Sequence, residues 1–381
     1  MIASIVSTAQ THFGNDTRSV GEMMLDIYNQ IINNAENLAI NSIDAIYIAN
    51  FSSSFTDQCN LPAVLASKLQ VNKEITRVES ACASGGVAFK EAVIAIKSQL
   101  YDNVLVIGVE KMMDTPVDKA TAIIARAASQ SERDLGATFP SLFALMAQRH
   151  FYEYGTQEQH LAKIAVKNHK NALNNPFAQF HKKITIDDVM NSKTVAAPLK
   201  LLDCSPISDG AAGILISSSE TASSHCESPI NLLGIGHCVG SIELMDRDRL
   251  TSMPPVTLAA KKAYQMSDLR PKDIDIAEIH DCFTIAELIE IEDLGFCEKG
   301  RAKELIDEGV TEIDGDIPIN ASGGLKAKGH PIGATGVSQI VEIVNQLADM
   351  PTYNQIDGAE YGLCCNIGGA GATAVVSIFS R

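Results

Sequence analysis

Asn320-Ala321-Ser322-Gly323-Gly324-Leu325-Lys326-Ala327-Lys328-Gly329-His330-Pro331-Ile332-Gly333-Ala334-Thr335-Gly336 places five glycines in seventeen residues. Such a run does not make the interior of a packed helix. It makes a loop that other groups approach closely. His330 precedes Pro331, which turns it away from helical geometry and holds its ring at a cleft edge. Residues 337–347 follow with helical apolar spacing. The stretch therefore reads as a small-residue loop that presents a reactive side chain just ahead of a helix. Lys326 and Lys328 either offset negative charge near a phosphate or are simply solvated.

The first half of the chain holds an echo. Glu79-Ser80-Ala81-Cys82-Ala83-Ser84-Gly85-Gly86 follows a strand-like run at 75–78 and opens a helical run at 87–100. With the two helical runs in register, Val93, Ile94 and Ile96 match Ile340, Val341 and Ile343. Two helices built alike, each led by a small-residue loop, point to duplication. Cys82 falls at a helix N-terminus, where free N–H groups and the helix dipole lower a thiol's pKa. The expectation is an activated nucleophile; the alternative is a buried cysteine in a tight turn.

Outward from these two loops, strands and helices alternate. Apolar runs at 44–48, 103–108, 213–216, 230–233, 276–279 and 374–379 read as strands, and Met1-Ile2-Ala3-Ser4-Ile5-Val6 as a first strand. Residues 19–38 read as a helix, with Val20, Met23, Met24, Ile27 and Ile31 on one face. Such alternation predicts an α/β fold. Residues 110–200, richer in Arg, Gln, His and Lys, read as a helical excursion between core strands. It is either a lid over a site or a peripheral layer. Two further loops carry chemistry. His280-Asp281-Cys282-Phe283 lies at a strand's carboxyl end, where α/β folds place functional groups. Gly362-Leu363-Cys364-Cys365-Asn366-Ile367-Gly368-Gly369-Ala370-Gly371-Ala372 reads as a Gly-rich turn able to offer N–H groups to an oxyanion.

Composition limits the partners. The 381 residues carry a net charge of −16, which repels nucleic acid and anionic membranes. No apolar stretch reaches the roughly 18–20 residues of a membrane helix. The start lacks the pattern of a signal peptide, so the expectation is a cytoplasmic protein. Nine cysteines include no Cys-x-x-Cys pair, so zinc and dithiol redox sites have little support.

Together, in this order, the four loops resemble the thiolase family over essentially the whole chain. Leu201-Leu202-Asp203-Cys204-Ser205-Pro206-Ile207-Ser208-Asp209-Gly210-Ala211-Ala212 resembles the segment closing that family's first half. His280-Asp281-Cys282-Phe283 resembles the sterol-carrier-protein-type subgroup, where ordinary thiolases have Asn-Glu-Ala-Phe. The usual second cysteine near the C-terminus aligns with Asn366. The resemblance implies a five-layered α-β-α-β-α fold from two duplicated halves: residues 1–110 with 201–225, and 226–381. An inserted loop domain, 111–200, covers the coenzyme A. It implies an acyltransferase that cleaves 3-ketoacyl-CoA or condenses acetyl-CoA, with roles in lipid metabolism. Cys82 would be the nucleophile, His330 its base, and Cys282 the acid/base, unless Cys364 or Cys365 takes that part. His280 with His330 would serve the enolate oxygen. The backbone of Cys82 and Gly368, in the loop with Asn366, would serve the tetrahedral intermediate. Ser322, Gly323, Lys328 and Phe283 would contact the substrate. Coenzyme A enters as substrate, with no metal or redox cofactor. Assembly would be a homodimer or homotetramer, with a partner subunit in some relatives. A decarboxylating condensing enzyme and a weakly active, complex-dependent subunit are the competing functions.

Overall fold

The computed structural model describes residues 3–38, 42–350 and 353–381. Its strands are β1 (Ser4–Gln10), β2 (Ala45–Ala49), β3 (Glu74–Val78), β4 (Asn103–Glu110), β5 (Thr194–Ala196), β6 (Leu199–Lys200), β7 (Gly210–Ser217), β8 (Ile230–Val239), β9 (Ile276–Glu278), β10 (Tyr361–Gly368) and β11 (Thr373–Ser380). Nine of them lie in the order β3-β2-β4-β7-β1-β8-β11-β10-β9, and β5 and β6 form a separate hairpin. The long sheet is two sheets joined at a seam, because β1 and β8 pair through only Ser4–Asn231 and Ile5–Ile230. On β4, Val104 and Val106 face one hydrophobic cluster while Leu105 and Ile107 face another. A strand covered on both faces has no polar alternation, which is why its sequence reads as a continuous β-branched run.

The helices Ser84–Lys97 and Ile332–Leu347 lie between the two sheets and share one core, with Phe89 and Val93 against Ile340 and Val344. The helix Val20–Asn34 covers the outer face of the first sheet, and Pro254–Ser267 with Thr284–Asp293 covers that of the second. The result is five layers, α-β-α-β-α. The two inner helices touch at glycine. A Cβ on Gly85 would lie 2.7 Å from the Val337 nitrogen, and one on Gly336 would lie 2.6 Å from the Gly86 nitrogen. Real side chains do not fit there, so the glycines fix the crossing that brings the Cys82 and His330 loops together. Between β4 and β7 run helices including Val117–Ala125, Phe139–Tyr154 and Glu158–Ala172.

One expectation changes and another reaches past the described residues. Met1 and Ile2 of the first strand lie outside the described residues. The stretch read as a Gly-rich turn at 362–372 is mostly β10, and only its last residues turn. Leu363, Cys365 and Ile367 alternate into one core with Cys364 on the other side, a period-2 signal masked by the small residues around it.

Candidate active site

β3 ends at Val78, and the chain reverses through Ala81, which takes a left-handed φ of 50°. Ser84 staples this turn: its hydroxyl donates to the Ala81 carbonyl (2.6 Å) and accepts from the Ser80 N–H (2.9 Å). Cys82 is thereby held just before the helix Ser84–Lys97, on the wall of a cavity of about 230 Å³. The same cavity is lined by Cys282, His330, Gly369, Phe283 and Cys204. Its far wall, Thr121, Ile124, Phe139, Pro140 and Phe143, comes from the inserted helices, which therefore cover the site. Among the lining residues there is no Lys or Arg.

Sγ of Cys82 and one ring nitrogen each of His280 and His330 lie within 4.8 Å of one another. The imidazole rings stand edge to face, 5.0 Å apart. The hydrogen bonds around them assign opposite tasks. The Thr335 hydroxyl donates its one hydrogen to the Pro331 carbonyl, so it accepts from Nδ1–H of His330 at 2.7 Å. Nε2 of His330 therefore carries a lone pair. Asn366 has its Oδ1 occupied by the Gly86 N–H, so its Nδ2 donates to the Cys82 carbonyl and to Nδ1 of His280 at 3.1 Å. Nε2 of His280 therefore carries the proton, and that atom is buried without a partner among the described residues. One ring is an acceptor and the other a donor, both beside Cys82.

Burial drives His330 down to about 3, and it holds His280 well below the usual imidazole range with help from His330. Both rings are neutral bases. Cys82 departs from expectation. Burial pushes its thiol up to about 12, although N–H groups of Gly369 and Cys82 itself donate to the sulfur. Glu110 and Glu79 raise it further. The helix mouth is present, but desolvation outweighs it, so the resting nucleophile is a thiol and needs a base.

Among the other expected residues, Cys282 lines the cavity, its thiol also raised by burial and by Cys82. Cys364 and Cys365 do not line it; they pack into cores on opposite faces of β10. The N–H facing Cys82 belongs to Gly369, one residue beyond the expected Gly368. Asn366 offers no atom to the cavity but orients His280 and the Cys82 carbonyl. Phe283 lines the cavity and stacks on Phe143. Ser322 is buried on Glu278, Gly323 lies against Ala172, and Lys328 is buried on Ser338 and Glu342. None of these three reaches the cavity, because the glycines fold the loop inward on buried partners. Lys326 is likewise buried, its pKa lowered to about 8. No role was legible in sequence for Thr335, Gly369 or Ser208, whose hydroxyl accepts the backbone N–H of His330.

Comparison with known proteins finds similarity along nearly the whole chain. The model of the thiolase N-terminal domain matches residues 3–220, and that of a thiolase C-terminal domain-like unit matches 236–381. Acetyl-CoA acetyltransferase of Methanothermobacter thermautotrophicus is 47% identical over 341 residues, spanning 89% of each chain. Sterol carrier protein 2 of Bos taurus is 36% identical over 324 residues, 79% of this chain and 58% of that protein. A solved structure, the Ltp2-ChsH2(DUF35) aldolase, superposes with a TM-score of 0.85 at 25% identity, covering 100% of this chain and 98% of that one.

Proposed function

The chain belongs to the thiolase family, and we propose that, as an acyltransferase of coenzyme A thioesters, it makes and breaks the C2–C3 bond of 3-ketoacyl-CoA through an acyl-Cys82 intermediate. The observation that carries this reading is the pairing of a lone pair on Nε2 of His330 with a free Nε2–H on His280, both beside Cys82. In cleavage, Sγ of Cys82 attacks C3 as its proton passes to His330. The N–H groups of Cys82 and Gly369 receive the alkoxide. The C2–C3 bond then breaks, and Nε2–H of His280 receives the enolate oxygen. Cys282 protonates C2 and acetyl-CoA departs; the thiol of free CoA then takes the acyl group from Cys82, its proton passing to the Cys282 thiolate while His330 returns its proton to Cys82. Condensation runs the same steps backwards. Each preorganised donor is worth roughly 3 kcal/mol of barrier. Neutral donors suit this cycle, because the negative charge they meet appears on the alkoxide and the enolate only as the reaction proceeds. No step calls on a metal or redox cofactor.

The phosphates of coenzyme A lie outside the apolar cavity in this reading. A homodimer or homotetramer, in the cytoplasm, completes it. β3 pairs only with β2 among the described strands, and that open edge suits a second copy. The test is the purified protein alone with acetoacetyl-CoA and CoA. Acetyl-CoA should form, and Cys82→Ala should abolish it. Consumption of malonyl-CoA with loss of CO₂, or activity only after a partner is added, would replace this reading by one of its rivals.

A further inference from the structure

The Cys82 sulfur and the two imidazoles form a donor set as well as a reaction centre. Their ligand atoms lie within 4.8 Å of one another. Nδ1 of each ring is taken, by Thr335 and by Asn366, so the nitrogens left for a ligand are both Nε2. That of His280 is fully buried and without a partner among the described residues. Thiolate and imidazole are the donors that borderline and soft divalent cations prefer, whereas Mg²⁺ and Ca²⁺ demand oxygen. Cys82 and His330 line the cavity, with His280 beside them, and there Cys282 stands on the same wall and water has room for a further position.

We propose that Cys82, His280 and His330 form a binding site for a divalent cation of the zinc class, which occupies the nucleophile and reversibly blocks acyl transfer. This goes beyond the acyl-transfer reading, which uses no metal. The binding step is balanced as follows. The cation forms a bond to Sγ of Cys82 as the thiol proton leaves to solvent. His330 offers its Nε2 lone pair unchanged. His280 moves its proton from Nε2 to Nδ1, giving up the bond from Asn366. The carboxyls of Glu110 and Glu79, which disfavour a free thiolate at Cys82, favour a cation there.

Co²⁺ is the probe, added to the full-length protein in anaerobic, thiol-free buffer. The expected result is one Co²⁺ per chain, with a thiolate-to-metal charge-transfer band and the visible bands of a tetrahedral site. Zn²⁺ should displace it and inhibit, EDTA should restore activity, and a hundredfold excess of Mg²⁺ should do neither. Cys82→Ala should remove the charge-transfer band, and His280→Ala should weaken Co²⁺ binding at least tenfold. Cys82→Ser, checked by circular dichroism, replaces Cys82→Ala if that variant does not fold. A charge-transfer band that survives in the Cys82 variant would overturn the proposal, because another thiol would then hold the metal. So would uptake with no such band, as expected if the exposed carboxylates of Glu308 and Asp314 hold it.

Discussion

Replacing His330 by Ala tests whether the resting nucleophile is a thiol that depends on that ring. With a pKa of about 12, Cys82 is ionised to about one part in 10⁴ at pH 8; an ordinary thiol near 9 would be ionised to about one part in ten. Without a base, acylation must draw on that residue of thiolate. The void left by the imidazole admits some water and eases the burial, so the expected loss is about 10³-fold or more. The assay is single-turnover acetylation by acetyl-CoA, quenched in acid and read as the mass of the intact chain, between pH 7 and 10. Wild type should be flat over this window, because a ring at about 3 is already the free base. The variant should gain tenfold per pH unit with no plateau by pH 10. A loss under tenfold, or a variant profile that levels near pH 8–9, would show that Cys82 ionises readily by itself and refute the reasoning.

Thr335→Val deprives Nδ1–H of His330 of its acceptor and frees the wrong tautomer. A lost buried bond of about 1–3 kcal/mol predicts a fall in kcat of ~5- to 150-fold with KM for acetyl-CoA unchanged, and Thr335→Ser should restore it. Lys326→Met should stabilise the protein. The fall from 10.5 to about 8 corresponds to about 3 kcal/mol against the native state. Below pH 8 the ammonium is charged in both states and the whole cost is present. Between 8 and 10.5 the unfolded chain holds more protons, so wild-type stability rises with pH. The Tm advantage of the variant should thus be large at pH 7 and small at pH 10; an equal advantage at both would contradict the burial argument. Gly336→Ala should lower Tm and activity together, since its Cβ would sit 2.2 Å from Oδ1 of Asn366 and forces the inner helices apart.

Much of this architecture was legible in residue order. The alternation of apolar runs located β2, β4, β7, β8, β9 and β11. The matching Cys82 and His330 loops anticipated two helices that turn out to pack together at Gly85 and Gly336. What stayed hidden depends on distant chain. β10 is hidden because its faces are filled by small residues whose partners come from both sheets. The N–H of Gly369 replaces that of Gly368 because Gly368 is the last residue of β10, a strand that the loop-like composition concealed. Lys326 and Lys328 read as either near a phosphate or solvated, because nothing local reveals that Asp281 and Glu342 await them in the core. The thiol's pKa was misread for the same reason. A helix N-terminus is visible in sequence, whereas the desolvation that overrides it is supplied by the inserted helices, His330 and β10.

The division of labour between two cysteines across one cavity is most directly tested by deuterium exchange into the methyl group of acetyl-CoA, followed by NMR in D₂O with Cys282→Ala. The variant should still carry acetyl on Cys82, shown by peptide mass mapping, while exchange falls to background. Exchange at the wild-type rate would contradict the account, for it would put the carbon acid's proton on some group other than Cys282.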